Sequence, residues 1–147
     1  MQQAQNDGVV SAMSQAPDAR LAAQDLARQL LHPHLGFVLF FCSAEYDLQA
    51  LGEALEQGFG GIRLVGCTSA GEITPLGYGR NCVTAVGFDH RHFSIATELI
   101  YEMEHFSLID AQQMVERLVG TCRSNTLAPI KGHSFALTLL DGLSSRE

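Results

Sequence analysis

Phe37-Val38-Leu39-Phe40-Phe41, Leu48 to Gln57 and Ile62-Arg63-Leu64-Val65 are three consecutive segments whose reading decides the fold. The first is a continuous apolar run bounded by Gly36 and Ser43. A run without polar alternation predicts a central sheet strand covered on both faces. The second carries Leu48, Leu51 and Leu55 at spacings of three and four, the period of an amphipathic helix. Gly58, Gly60 and Gly61 are expected to stop it. The third reads as a second buried strand. Strand, helix and strand joined by short connections make a βαβ unit, which implies parallel neighbours and a right-handed crossover.

Working outward, residues 8 to 14 read as a short strand, and Pro17 with Asp18 opens a helix whose apolar side is Leu21, Leu26, Leu30 and Leu31. His32-Pro33 ends that helix, because the residue before a proline is pushed out of helical geometry. Downstream, Cys82 to Phe88 and Phe93 to Leu99 alternate around Asp89-His90-Arg91-His92, the pattern of a hairpin with a four-residue loop. Ser107 with Asp110 has the spacing of a helix cap. The helix it starts runs to about Cys122, with Ala111, Met114, Val115, Leu118 and Val119 on its apolar side. A loop with Pro129 leads to a last strand, His133 to Leu140, closed by Asp141-Gly142. The expected fold is α/β, a mixed sheet with βαβ units and an antiparallel hairpin. Ser144 and Glu147 again have capping spacing, but no helix follows, so the domain is expected to be incomplete at its C-terminus. Sheet edges left open by that would favour oligomers.

Composition narrows the function. At 147 residues the chain can bury one core, and 46% hydrophobic with 17% charged residues is globular rather than disordered. A formal charge of −7, with nine basic residues scattered singly, argues against nucleic acid. The first residues have neither the basic nor the apolar region of a secretory signal. Leu35 to Cys42, the most apolar run, is too short to span a bilayer. Four cysteines (Cys42, Cys67, Cys82, Cys122) without a C-x-x-C pair lack zinc-ligand spacing and read as reduced thiols in the cytoplasm.

The chemically densest stretch is Gly66-Cys67-Thr68-Ser69-Ala70-Gly71-Glu72, placed where the Ile62–Val65 strand is expected to end. Ligands of parallel α/β sheets sit beyond the carboxyl ends of strands. Small residues let a backbone approach a ligand, hydroxyls and amides donate to an anion, and Glu72 accepts from a cationic group. Cys67, Thr68, Ser69, Gly71 and Glu72 are therefore the candidate ligand-binding residues. A phosphate loop would need Gly-Lys-Ser/Thr, and a nucleophile elbow would need a glycine where Cys67 stands. A tight turn whose hydroxyls satisfy their own backbone stays open beside the ligand reading. Gly77-Tyr78-Gly79 could fold over the site as a loop, and Asp141-Gly142 reads first as a turn.

Phe40-Phe41-Cys42-Ser43 with Tyr46-Asp47, Gly66 to Ile73, and Leu139-Leu140-Asp141-Gly142-Leu143-Ser144 together resemble the N-terminal FIST domain of bacterial signal-transduction proteins, in order and over nearly the whole chain. The resemblance implies a non-enzymatic sensor of small ligands that signals to a histidine kinase, a diguanylate-signalling enzyme or a chemotaxis protein. It also implies that residues 1–147 are part of a longer ligand-sensing domain. One branch of the family binds haem and senses nitric oxide. A haem b here would need one axial histidine in an apolar pocket, since no C-x-x-C-H is present. His32 and His34, flanking Pro33, and His133, opening the last expected strand, are the candidates, at most one of which would ligate. Two other functions stay open. One is an acyl- or thiol-transfer enzyme with Cys67 or Ser69 attacking, His133 as base and Asp141 orienting it. The other is a ligand-free scaffold whose sheet edges dock a partner chain.

Overall fold

Two aspartates start the first two helices. The computed structural model of the chain describes residues 8–74, 77–101 and 103–140. The Asp18 carboxylate accepts from Leu21 N–H at 2.9 Å at the start of α1 (Ala19–Leu30). That of Asp47 accepts from Ala50 N–H at 3.0 Å at the start of α2 (Leu48–Phe59). Each satisfies an amide that a helix start leaves unpaired, a contribution of about 1 kcal/mol. Gly60, with φ 57°, ends α2 in the left-handed conformation that glycine adopts without steric cost. Gly58 lies inside the helix, so of the three expected stops it is Gly60 that acts.

The strands are β1 (Val9–Ser14), β2 (Leu35–Ser43), β3 (Arg63–Ser69), β4 (Glu72–Thr74), β5 (Gly77–Gly79) and β6 (Val83–Asp89). Four of them form one sheet in the order β1-β6-β2-β3, and β4 pairs with β5 in a separate antiparallel hairpin. β2 and β3 are parallel, from Phe37 opposite Arg63 to Ser43 opposite Ser69, as a βαβ unit requires. β6 is antiparallel to both β1 and β2, so the sheet is mixed as the sequence implies. This arrangement gathers the carboxyl ends of β1, β2 and β3 at one end of the sheet with the start of β6, where Val83 faces both Ser14 and Cys42. The opposite end has Leu35 beside Asp89.

Both helices pack on one face of this sheet. Ala22, Ala23, Leu26 and Leu30 of α1 and Leu51, Leu55 and Phe59 of α2 close over Ala12, Val38, Cys42, Val83 and Ala85. On the other face Phe37 is buried against Phe88, whose ring also meets Phe93 at 5.3 Å. Leu39 and Phe41 are only half-buried there, so the apolar run is less covered than its composition suggests. Leu21 (54% exposed) and Leu31 (48%) lie off the core. Alanines and Leu26 and Leu30 form the inner face of α1, and Leu31 is the residue that leaves the helix.

Two expected strands do not form. Phe93 to Leu99 does not pair as the return arm of a hairpin. The reason is topological: β6 already has β1 on one side and β2 on the other, leaving no edge for a third neighbour. The hairpin of the fold is β4–β5 instead. His133 lies in a turn, and residues 134–140 have no strand pairing and are exposed. Asp141-Gly142 and the capping pair Ser144 and Glu147 lie outside the described residues.

The chain divides into two compact units, Met1–Phe93 and Ser94–Glu147, a division that composition did not suggest. In the second, α3 (Leu108–Ser124) has the expected capping box, Ser107 and Asp110 each bonding the other's backbone. Ala111, Met114, Leu118 and Val119 are half-buried, whereas Val115 is 53% exposed. All four cysteines are free thiols, and among the described residues no helix is long and apolar enough to cross a membrane.

Leu55→Ala is expected to lower stability by about 2–5 kcal/mol in urea unfolding, because it empties a fully enclosed position. Leu21→Ala, on the exposed side of α1, is expected to change it by no more than about 0.5 kcal/mol.

Candidate functional site

The glycine-rich motif straddles a strand end rather than following one. β3 runs through Gly66, Cys67 and Thr68 to Ser69, beyond the Ile62–Val65 run that the apolar residues alone suggested, and the chain then turns at Ala70-Gly71 into β4. Cys67 lies opposite Phe41 and Thr68 opposite Cys42, so the two point to opposite faces of the sheet.

Glu72 is the centre of this end. Its side chain is buried (2% exposed), with Oε1 accepting from Ser69 Oγ–H at 2.9 Å and Oε2 from Cys82 Sγ–H at 3.1 Å. Ser69 Oγ also lies 3.3 Å from the Gly71 carbonyl. The β4–β5 hairpin lies over the turn, and Tyr78 Oη–H donates to the Ala70 carbonyl at 3.2 Å. A Cβ on Gly71 would stand 1.9 Å from Tyr78 Oη, so only glycine lets the ring lie there. Gly77-Tyr78-Gly79, read from sequence as a loop over the site, does cover it, but as a strand. Behind Glu72, the Tyr46 hydroxyl donates to the Ala16 carbonyl at 2.7 Å, tying the loop after β2 to the loop after β1.

The donors around the carboxylate keep their protons. Burial, then the hydrogen bond to Glu72 and its charge, pushes the Cys82 thiol up to about 11. Burial pushes Tyr46 up to about 12, with the charges of Cys82, Cys42 and Glu72 adding. Cys42 is raised chiefly by burial, then by Glu72 and Cys67. Glu72 itself belongs to none of the three ion pairs among the described residues. A buried carboxylate held by two neutral donors retains acceptor capacity on both oxygens. It would gain from a cationic or donor group that the described residues do not supply.

Beside this cluster a gap of about 170 Å³ separates α2 from the β2–β3 pair. Phe40, Cys42, Leu48 and Leu51 form its walls, and Gly52, Gly66, Cys67 and Thr68 complete it. A larger recess of about 540 Å³, between the outer flanks of α1 and α2, is lined by Arg20, Gln24, Glu53 and Gln57 and contains no residue of the motif.

The candidate histidines do not join the motif. His32 and His34 lie at the opposite end of the sheet, where their rings are 6.4 Å apart and His34 is 5.7 Å from His90. His133 is exposed, its Nδ1 3.2 Å from the Lys131 carbonyl. Neither cavity is lined by a histidine. The gap at the motif also falls below the roughly 300–1,000 Å³ of cofactor pockets. The described residues therefore do not fit haem, and no cluster of three or more His, Cys, Asp or Glu among them can hold a metal ion. For the transfer-enzyme reading, the Ser69 hydroxyl is directed at Glu72. Asp141 lies outside the described residues. Sequence reasoning missed Cys82, Cys42 and Tyr46, since only the folded sheet brings them to Glu72.

Residues 36–147 match the family model described as the FIST N domain. No curated protein and no solved structure matches the chain.

Iodoacetamide at pH 8 is expected to label the half-exposed Cys67 and Cys122 of the native chain well before Cys42 and Cys82, as read by peptide mass spectrometry. The raised Cys82 value favours the folded state below pH 9, and that contribution is lost as pH rises towards 11. The urea midpoint should therefore fall across that window, and fall less steeply between pH 9 and 10 in Cys82→Ser.

Proposed function

The chain belongs to the FIST N domain family, and on that premise we propose that it is a non-enzymatic cytoplasmic sensor whose Cys67–Glu72 segment binds a small ligand. FIST domains are sensor-type domains of signal transduction. The partner in this reading is a histidine kinase or a diguanylate-signalling enzyme. The observation that carries the proposal is Glu72, a buried carboxylate with no cation partner among the described residues, at the end of the sheet where parallel strands finish. A ligand with an ammonium or another strong donor would complete its hydrogen bonding. The ligand reaches Glu72 from the Ala70-Gly71 turn, and because Glu72 is the first residue of β4, the position of the β4–β5 hairpin is the signal. Ile73 (88% exposed) and Tyr78 (67%) are the face of the hairpin a partner would read.

Haem with nitric oxide as the signal is the finer reading that the resemblance offers. It would require His32, His34 or His133 to enter an apolar pocket, and no step is assigned to it here. An exposed edge favours the scaffold as the second reading: among the described residues the outer side of β3 pairs with no strand. A partner chain or second copy could add a strand there.

Thermal unfolding of the chain against a set of small metabolites tests the sensor. At least one compound should raise the melting temperature, and Glu72→Gln should weaken its binding about tenfold, the loss of one charge-assisted hydrogen bond. Binding that ignores both Glu72→Gln and Thr68→Ala, or no binding at all, contradicts the proposal. Added haem should give no Soret band dependent on His32, His34 or His133; a band lost in one of their alanine variants would install haem as the ligand.

A further inference from the structure

The middle of α2 contains a glycine that its helix does not need. Gly52 lies in the second turn, four residues into a twelve-residue helix, where glycine is the least favourable residue after proline. An interior helix glycine can serve a packing contact with a neighbouring element. Here nothing does: a Cβ built on Gly52 meets no atom within 4 Å. What Gly52 borders is the gap of about 170 Å³ over Gly66 and Thr68. On the opposite wall Gly66 has no such freedom, because a Cβ there would stand 2.3 Å from the Phe40 carbonyl oxygen. The space is thus fixed by the sheet on one side and left unfilled by the helix on the other. An alanine at position 52 would fit without meeting a neighbouring atom and would strengthen the helix.

We propose that the gap between α2 and the β2–β3 pair receives a compact apolar group of the sensed ligand, with Gly52 as the residue that keeps it open. The gap is open to solvent on one side, and its volume is that of a single ring or short branched chain. Phe40, Leu48 and Leu51 offer an apolar surround, and the buried Cys42 thiol is a soft, uncharged part of the wall. At the strand end Thr68, a residue of the motif, adds a hydroxyl to the lining of the gap. The ligand is therefore amphipathic, a single ring or short branched chain in the gap with a polar end directed to the Ser69–Glu72 turn. This rests on the sensor reading above and adds the apolar half of the ligand to the polar half that Glu72 recognises.

Benzene titrated into the full chain, followed by the melting temperature and by aromatic and methyl NMR shifts of Phe40, Leu48 and Leu51, tests the gap without engaging Glu72. The expected result is saturable binding in the wild type, at least tenfold weaker in Gly52→Leu and unchanged in Leu21→Ala, whose side chain is exposed and does not line the gap. Gly52→Ala guards against misfolding. It should melt at a higher temperature than the wild type and bind benzene more weakly. Absence of benzene binding to the wild type, or binding that Gly52→Leu and Gly52→Ala leave intact, overturns the proposal. Either result leaves the dependence of metabolite binding on Glu72 to be read separately, so failure here is distinguishable from failure of the sensor reading.

Discussion

β6 lies between β1 and β2, and most of what distinguishes this fold follows from that insertion. It pairs antiparallel on both sides, so it brings its own start to the end where β1, β2 and β3 finish. Cys82, just before β6, thereby meets Glu72, just after β3, although ten residues and a hairpin separate them. The same insertion uses both edges of β6, so residues beyond Phe88 cannot return along it. Without β6 in this position Cys82 would not reach the Glu72 carboxylate.

Burial of Glu72 is the energetic oddity of the molecule. An isolated carboxylate taken out of water costs several kcal/mol, and two neutral donors offset only part of that. The donors are themselves tuned by the carboxylate: a thiol beside an anion holds its proton to about 11. Cys82 is thereby a steady hydrogen-bond donor and a poor nucleophile at neutral pH. Contrast the other end of the sheet. There Arg91 holds Asp89 well below the usual carboxylate range, and that buried carboxylate is paired within its own turn. Among the described residues the carboxylate at one end of the sheet has a cation partner and the one at the other end has none. The proposed ligand site rests on that asymmetry more than on the glycine-rich motif alone.

Much of this was legible in the residues. The unbroken run Phe37–Phe41, the three-and-four spacing of Leu48, Leu51 and Leu55 and the apolar Ile62–Val65 fixed a parallel βαβ unit because each signal is local. The Asp18 and Ser107 caps are local too. What could not be read depends on long-range placement. The alternation of Phe93 to Leu99 is a genuine strand pattern, but a pattern does not say whether an edge is free to receive it. His133 to Leu140 likewise has strand composition and no strand partner among the described residues. Leu21 looked like core because it is large, whereas the close packing of α1 on β1 and α2 selects its alanines. Of the site, Ser69 and Glu72 were legible with Cys67, Thr68 and Gly71 as a small-residue stretch at an expected strand end. Nothing in the sequence linked them to Cys82 or Tyr46, and nothing marked Gly52 as more than a weak spot in a helix.

The central claim is that the Ser69–Glu72 end of the sheet, and not the histidine end, is where a ligand is sensed. Backbone amide NMR of the full chain, titrated with the compound that most raises its melting temperature, tests this most directly. The largest shifts are expected from Gly66 to Glu72, in Tyr78 and Gly79, and from Leu48 to Gly52, with His32, His34 and His90 nearly still. Shifts concentrated at those histidines, with Ser69 and Glu72 unmoved, would contradict it.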